Sequence, residues 1–227
     1  MQSNSGKYSG IFIWTTALFI TALITANIIA VKLVVIFGEV LPAAIIIFPV
    51  SYIIGDVLTE VWGFRKARTV IWLGFLCNLL VVAAIWVGGL LPSAPFWQEN
   101  QVAYQNILGY TPRLLAASLV AYLIGELANS MALARIKLAT NGRWLWMRTI
   151  GSTIIGQGLD STLFITIAFI GEVPDLWRVV LVQWAAKLIY EIAATPLTYT
   201  VVTWLKKREN VDTFDHGISF NPLSKQG

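Results

Sequence analysis

Apolar stretches alternate along this chain with short connections that hold most of its charge. A hydrocarbon core of roughly 30 Å needs about 20 apolar residues in helical form. Windows of that kind run from Ile11 to Val31, Leu41 to Val61, Val70 to Leu90, Leu114 to Ala134, Ile150 to Ile170 and Val179 to Leu205. Lipid offers backbone N–H and C=O groups no partner, so each window is predicted to be a helix. The expected architecture is an all-α integral membrane protein with six transmembrane helices in a compact bundle. An N-terminal tail (1–10) precedes the transmembrane domain (11–205), and a C-terminal tail (206–227), polar, short and mobile, follows it. The first window is too long for a signal-peptide core and lacks a small-residue cleavage site behind it, so it is expected to be retained.

Composition points the same way. Of 227 residues, 57% are hydrophobic and 12% charged, against about 25% charged in soluble domains. Such an apolar surplus exceeds what one buried core can hold. One cysteine, Cys77, and one histidine, His216, exclude a disulfide scaffold and most His-based metal or acid–base chemistry. Without a Gly-rich phosphate loop, a His-Glu-x-x-His motif or a Cys pair, no cofactor and no metal are expected.

The net charge of +4 is explained by where the basic residues fall. Lys7, Arg65, Lys66, Arg68, Arg135, Lys137, Arg143, Arg148, Lys206, Lys207, Arg208 and Lys225 share one side of the predicted topology, against Lys32, Arg113 and Arg178 on the other. That bias puts both termini in the cytoplasm. The basic clusters therefore read as topology determinants and anionic-lipid contacts, and no nucleic-acid partner is expected. Trp62, Trp97, Trp144, Trp146, Trp177 and Trp204 lie near span ends, where indoles favour the headgroup region. The connection from Pro92 to Pro112 carries Phe96, Trp97, Tyr104, Ile107 and Leu108. It is expected in the interface, with partial cover of an entrance as the alternative.

Charge inside a spanning helix costs roughly 2.5–3.5 kcal/mol at the centre, so each instance needs a reason. Asp160 and Glu126 fall mid-span, Lys187 and Glu191 in the last span, and Asp56 and Glu60 in the second. Residues three and four apart share a helix face, and four spans carry polar stripes on that spacing. These are Tyr52, Asp56, Thr59 and Glu60; Ser118, Tyr122, Glu126, Asn129 and Ser130; Thr149, Ser152, Gln157, Asp160 and Ser161; and Gln183, Lys187, Tyr190, Glu191, Thr195 and Thr198. Four stripes can enclose one cavity. Single hydroxyls such as Ser118, Thr149 and Thr198 read equally as helix-to-helix hydrogen bonds, and Lys187 and Glu191, at i and i+4, as mutual neutralisation.

Five carboxylates against one deep cation, Lys187, make an acceptor-rich, net negative cavity. Either protons are held there or a ligand brings hydrogen-bond donors, and both suit a transporter. Pro42, Pro49, Gly55 and Pro196 interrupt the second and sixth spans, which membrane depth tolerates where protein or water satisfies the freed backbone. The enzyme alternative pairs Asp56 with Asp160 as an intramembrane aspartyl protease dyad.

Four segments carry a family likeness. Phe48-Pro49 through Asp56-Val57-Leu58-Thr59-Glu60-Val61-Trp62-Gly63, then Arg68, resembles the queuosine precursor transporters, a branch of the vitamin uptake transporter family. So do Gly125-Glu126-Leu127-Ala128-Asn129-Ser130, Arg148-Thr149-Ile150-Gly151-Ser152 through Gln157-Gly158-Leu159-Asp160-Ser161, and Lys187-Leu188-Ile189-Tyr190-Glu191 with Thr195-Pro196-Leu197. The likeness runs from about Thr21 to Lys207. Trp62 stands where Tyr is commoner and Ser161 where Thr is, each keeping the chemical character.

The resemblance implies an inner-membrane, multi-pass importer of 7-deazaguanine bases, the 7-cyano or 7-aminomethyl compounds used to make queuosine in tRNA. A guanine-like edge offers N1–H and an exocyclic amine, two parallel donors suited to a carboxylate. Asp160 or Glu126 is the expected acceptor. Asn129, Gln157, Ser152 and Ser130 are expected to complete the polar contacts, with Tyr52, Tyr122 or Phe164 stacking on the ring. Arg148 is expected either to orient the ligand or to hold a carboxylate. Asp56, Glu60, Lys187 and Glu191 are expected in coupling or gating. A solitary carrier is the first reading, and a substrate-binding subunit of an ATP-driven importer the second. The sequence leaves the oligomeric state open, a homodimer being the assembly entertained.

Overall fold

The computed structural model describes residues 8–36, 39–109, 112–171 and 175–221; Lys7 and Lys225 of the charge count lie outside them. Helix α1 (Gly10–Ile29) starts where the Ser9 hydroxyl accepts the Phe12 amide at 3.0 Å, the usual remedy for an orphan first-turn N–H. A hairpin follows, β1 (Leu33–Ile36) against β2 (Glu39–Pro42), antiparallel with Leu33 opposite Pro42. A 3-10 turn at Ala43–Ile46 leads into α2 (Phe48–Trp62). Then come α3 (Phe64–Leu90), α4 (Gln98–Leu108), α5 (Pro112–Ala139), α6 (Leu145–Phe169) and α7 (Leu176–Glu209).

The chain is a helical membrane protein. Helices α1 and α3, and the stretch Pro95–Ala139 that contains α5, are long and apolar enough to cross a bilayer. In place of a full second span the structure has the hairpin, the turn and a helix of 15 residues, about 22 Å long at 1.5 Å per residue. Proline sets that start: Pro42 ends β2, and Pro49 lies in the first turn of α2, where its missing N–H costs nothing. In α6 and α7 the polar side chains dilute the hydropathy. Helix α7 runs on through Pro196.

Every long helix contributes to a common core in which Phe12, Phe19 and Leu23 of α1 pack with Val57, Leu58, Val61 and Trp62 of α2 and with Val70 and Ile71 of α3. Helices α5 and α6 pack closely at two glycines. A Cβ on Gly125 would stand 2.6 Å from the Asp160 Cβ, and one on Gly156 would stand 2.8 Å from the Gly125 carbonyl. Small residues at such crossings let backbones touch, and here they bring the two polar stripes together.

The connection after α3 contains α4, whose Tyr104 hydroxyl donates to the Ile85 carbonyl at 3.1 Å. Phe96, Val102 and Ile107 are exposed, and none of the described residues of this segment lines the cleft described below.

The expectation of a mobile C-terminal tail is corrected as far as Asn221. Asn210 takes a left-handed conformation (φ 51°) and turns the chain back under the bundle. The Thr213 amide donates to the Val61 carbonyl at 3.2 Å, both Asp215 oxygens accept the Phe64 amide at 3.1 and 2.9 Å, and Arg68 Nη1 donates to the Asn221 carbonyl at 2.6 Å. Phe220 packs on Phe64 with ring centroids 5.3 Å apart. Polar composition suggested solvent, but the helix ends of α2 and α3 have backbone groups to satisfy, and the tail satisfies them.

Candidate functional site

Two polar clusters lie along the faces shared by α2, α5, α6 and α7. The first joins α2 to α5. Asn129 Nδ2 donates to Asp56 Oδ1 at 2.7 Å, and the Thr59 and Ser130 hydroxyls are 2.7 Å apart. Glu126 lies against Gly55, where an added Cβ would stand 2.3 Å from its Oε1. Between α6 and α7, Asp160 accepts an ion pair from Lys187, whose ammonium stands 5.6 Å from the Tyr52 ring centroid. Lys187 thus pairs across helices, and the mutual neutralisation of Lys187 by Glu191 is not what forms. Asp56 is within electrostatic reach of Glu191, Glu126 and Glu60, and Glu126 of Asp160, Glu191 and Lys187.

Buried acceptors without donors distinguish this cluster. Asp56 Oδ2, Glu126 Oε1, Asn129 Oδ1, Gln157 Oε1 and Glu191 Oε1 have no hydrogen-bond partner. Buried polar groups are normally paired, and each exception costs roughly 1–3 kcal/mol, more when charged. Five such oxygens in one region suit a ligand rich in donors.

Beside them is a cleft between α2 and α7, walled by Pro42, Ile45, Phe48, Pro49 and Ala186, with Tyr52, Gln183, Lys187, Tyr190 and Glu191 supplying its polar atoms. Phe48 and Tyr52 stack nearly parallel at 6.0 Å, presenting flat apolar faces. The lining comes from α7, α2 and the segment just before α2; no residue of α5 or α6 contributes.

The second cluster is centred on Glu60, fully buried at the other end of α2. Arg148 Nε and Nη2 donate to its two oxygens at 3.0 and 2.8 Å, and Lys206 Nζ reaches Oε1 at 2.6 Å. Lys137 Nζ lies 3.4 Å from the same Oε1 and donates to the Glu60 carbonyl at 2.6 Å. It also holds the tail, contacting Asp212 Oδ1 at 2.6 Å and the Thr213 carbonyl at 2.9 Å. Asp212 accepts Lys206 as well, at 2.9 Å. Burial pushes the Asp212 carboxyl up, but hydrogen bonds from Lys137 and Lys206 outweigh it and hold the group below its usual range. Burial dominates at Asp215 and raises it, against the opposing Phe64 N–H.

The structure therefore divides the expected site residues. Asp56, Glu126, Asn129, Gln157, Asp160, Lys187 and Glu191 fall in or beside the first cluster, and Tyr52 in the cleft wall. Arg148 and Glu60 pair with each other. Ser152 donates to its own helix at the Thr149 carbonyl, 2.9 Å, and the Tyr122 hydroxyl to the Ile71 carbonyl, 3.3 Å. Phe164 packs edge-on against Phe169. Among the described residues no hydrogen bond joins Asp56 to Asp160, and no group of three His, Cys, Asp or Glu side chains is placed to hold a metal. Sequence reasoning missed Phe48 in the cleft, took Lys137 and Lys206 for topology charges, and did not single out Asp212. The only signal for Lys137 was a lysine placed three residues beyond a span end.

The family described as "Putative vitamin uptake transporter" matches residues 42–201, the segment that contains both clusters except Lys206 and Asp212. A Bacillus subtilis (strain 168) protein named "Probable queuosine precursor transporter" is 29% identical over 193 residues, 84% of this chain and 82% of its own length. The Escherichia coli (strain K12) "Queuosine precursor transporter" is 24% identical over 217 residues, 91% of this chain and 92% of its own. No solved structure matches the chain.

Proposed function

The chain belongs to the vitamin uptake transporter family, a family of transporters and not of enzymes, and we propose that it imports queuosine precursors. The cargo is 7-cyano-7-deazaguanine, 7-aminomethyl-7-deazaguanine or both, and the place is the bacterial inner membrane. Six membrane segments, counting the short α2 with its hairpin as one, put both termini in the cytoplasm. The cleft between α2 and α7 then opens toward the outer half, since α2 runs inward from Phe48 and α7 runs inward from Leu176.

The observation that carries this reading is the group of unpartnered acceptors, Asp56 Oδ2, Glu126 Oε1, Asn129 Oδ1, Gln157 Oε1 and Glu191 Oε1. A guanine-like edge presents parallel N–H donors and a flat ring. Glu126 or Asp160 takes the N1–H and amino pair, with Asn129, Gln157, Ser130 and Ser152 nearby, while Tyr52 offers a face for the ring. Asp56, Lys187 and Glu191 adjust the charge as cargo enters.

The test is binding of labelled 7-cyano-7-deazaguanine to the purified full-length protein in lipid nanodiscs. Glu126→Gln replaces an acceptor oxygen with a donor and should weaken binding by about tenfold or more, the worth of one hydrogen bond to a charged group. Equal binding by a folded Glu126→Gln variant would remove Glu126 from the site.

A further inference from the structure

Lys137 and Lys206 place two ammonium groups on one carboxylate oxygen, Glu60 Oε1, at 3.4 and 2.6 Å. Arg148 adds a third cation to the same side chain at 2.8 Å. Three positive groups around one buried carboxylate repel one another, and Coulomb energy between charges at such distances is large wherever water is scarce. A second carboxylate holds the arrangement together. Asp212 bridges the two lysines at 2.6 and 2.9 Å, leaving three cations against two anions; without it the balance is three against one.

Asp212 belongs to the C-terminal segment, outside every helix. That segment is fixed on both sides of the bridge. Thr213 N–H donates to Val61, and Asp215 accepts from Phe64, at the corner where Gly63 (φ 84°) joins α2 to α3. A Cβ at Gly63 would stand 2.6 Å from the Thr213 methyl, so the tail lies directly on the corner. On the opposite flank the Lys137 ammonium sits 4.7 Å from the Phe214 ring centroid, and Gly142 leaves room for that ring. The helices tied through Glu60 are α2, α5, α6 and α7, the same four that carry the first cluster.

We propose that the Glu60 cluster is the closed cytoplasmic gate of the transport path and that residues 211–221 are its latch, with Asp212 keeping Lys137 and Lys206 together on Glu60. This rests on the importer reading for the direction of the path. The cleft is open near the outer ends of α2 and α7, while the inner ends are joined around Glu60, one helical turn from Asp56. Cargo leaving the first cluster for the cytoplasm passes between these inner ends, and they part when the latch releases. Lys137 and Asp212 are positioning residues, since neither lines the cleft.

The test is sidedness of thiol labelling, which needs no cargo. In a Cys77→Ser background of the full-length protein, Thr59→Cys places a thiol just above the gate and Ile45→Cys places one in the outer cleft. A membrane-impermeant thiol reagent is applied to sealed vesicles of each orientation, with and without Asp212→Ala. The latch predicts that Asp212→Ala raises cytoplasmic-side labelling of the Thr59→Cys thiol by about threefold or more, the scale of ion pairs whose acidic partner is half-exposed. Outer-side labelling of the Ile45→Cys thiol should stay level or fall, and Asp212→Glu should restore the closed pattern. Unchanged cytoplasmic labelling overturns the proposal. So does a rise on both sides, which reports general loosening of the fold. If Asp212→Ala does not insert, Asp212→Asn carries the same comparison. Failure here leaves the cargo reading intact, and failure to bind cargo leaves the labelling result standing.

Discussion

Arg148 meets Glu60 through two parallel hydrogen bonds, 3.0 and 2.8 Å, across 88 residues of sequence, and both side chains are buried. The remaining donor, Nη1, goes to the Arg143 carbonyl at 2.6 Å, so the guanidinium fork is fixed on both sides. Planar bidentate pairing is what distinguishes arginine from lysine. The pair joins α2 to α6, and it sits apart from the unpartnered acceptors.

Removing Glu60 should therefore be severe. Glu60→Gln leaves Arg148, Lys137 and Lys206 converging without their common anion, and stranding buried charge costs about 3–5 kcal/mol. A large drop in thermal unfolding midpoint in detergent is expected. Arg148→Lys keeps the charge but loses the fork and should fall between parent and Glu60→Gln.

The Lys187 and Asp160 ion pair makes a different prediction. Each single neutralisation, Lys187→Met or Asp160→Asn, leaves the other group charged without its partner, whereas the double variant leaves neither. The double variant should be more stable than the sum of the singles predicts, by about 1 kcal/mol or more. Thermal unfolding of all four proteins measures this directly, and strict additivity would show that the two groups are not coupled.

Close packing of α5 on α6 is tested by size. Gly125→Ala forces a Cβ to within 2.6 Å of the Asp160 Cβ, and such overpacking costs typically about 1–3 kcal/mol. Gly10→Ala is the control, since nothing lies within 4 Å of the added atom. The unfolding midpoint should fall for Gly125→Ala and hold or rise for Gly10→Ala.

Tail docking should depend on acid with two signs. Asp212 is held below its ordinary value of about 3.9, so its contribution is complete above that pH and is lost as pH falls through its depressed value. Asp215 is raised by burial, so its contribution is complete at low pH and is lost as pH rises through the raised value. Docking should tighten slightly on mild acidification and then weaken as the pH falls through the depressed Asp212 value. Cleavage of the tail by an acid-active protease follows this, and Asp212→Asn should remove the low-pH loss.

Much of the polar architecture was legible because charge inside an apolar span has no cheap explanation. Asp56, Glu126, Asp160 and Lys187 stood out on that ground alone, and their helix faces followed from spacing. Partnership did not follow. Spacing puts Lys187 on the face of Glu191, but it cannot tell that Asp160 of the neighbouring helix lies nearer, since that depends on how closely α6 and α7 pack. Lys137 and Lys206 were counted as topology charges, because a lysine beyond a span end looks alike whether it faces solvent or a buried glutamate. The tail was read from its polarity, which does not reveal that the α2–α3 corner needs its Thr213 and Asp215.

The most direct measurement is uptake of labelled 7-cyano-7-deazaguanine and 7-aminomethyl-7-deazaguanine by cells unable to make either, expressing this chain or its Glu126→Gln variant at equal membrane abundance. The parent should accumulate at least one of the two compounds, and the variant should take up little. A parent protein that is inserted and folded yet accumulates neither would contradict the assignment of cargo. Equal uptake by the two would show that the unpartnered Glu126 oxygen is not where the precursor binds.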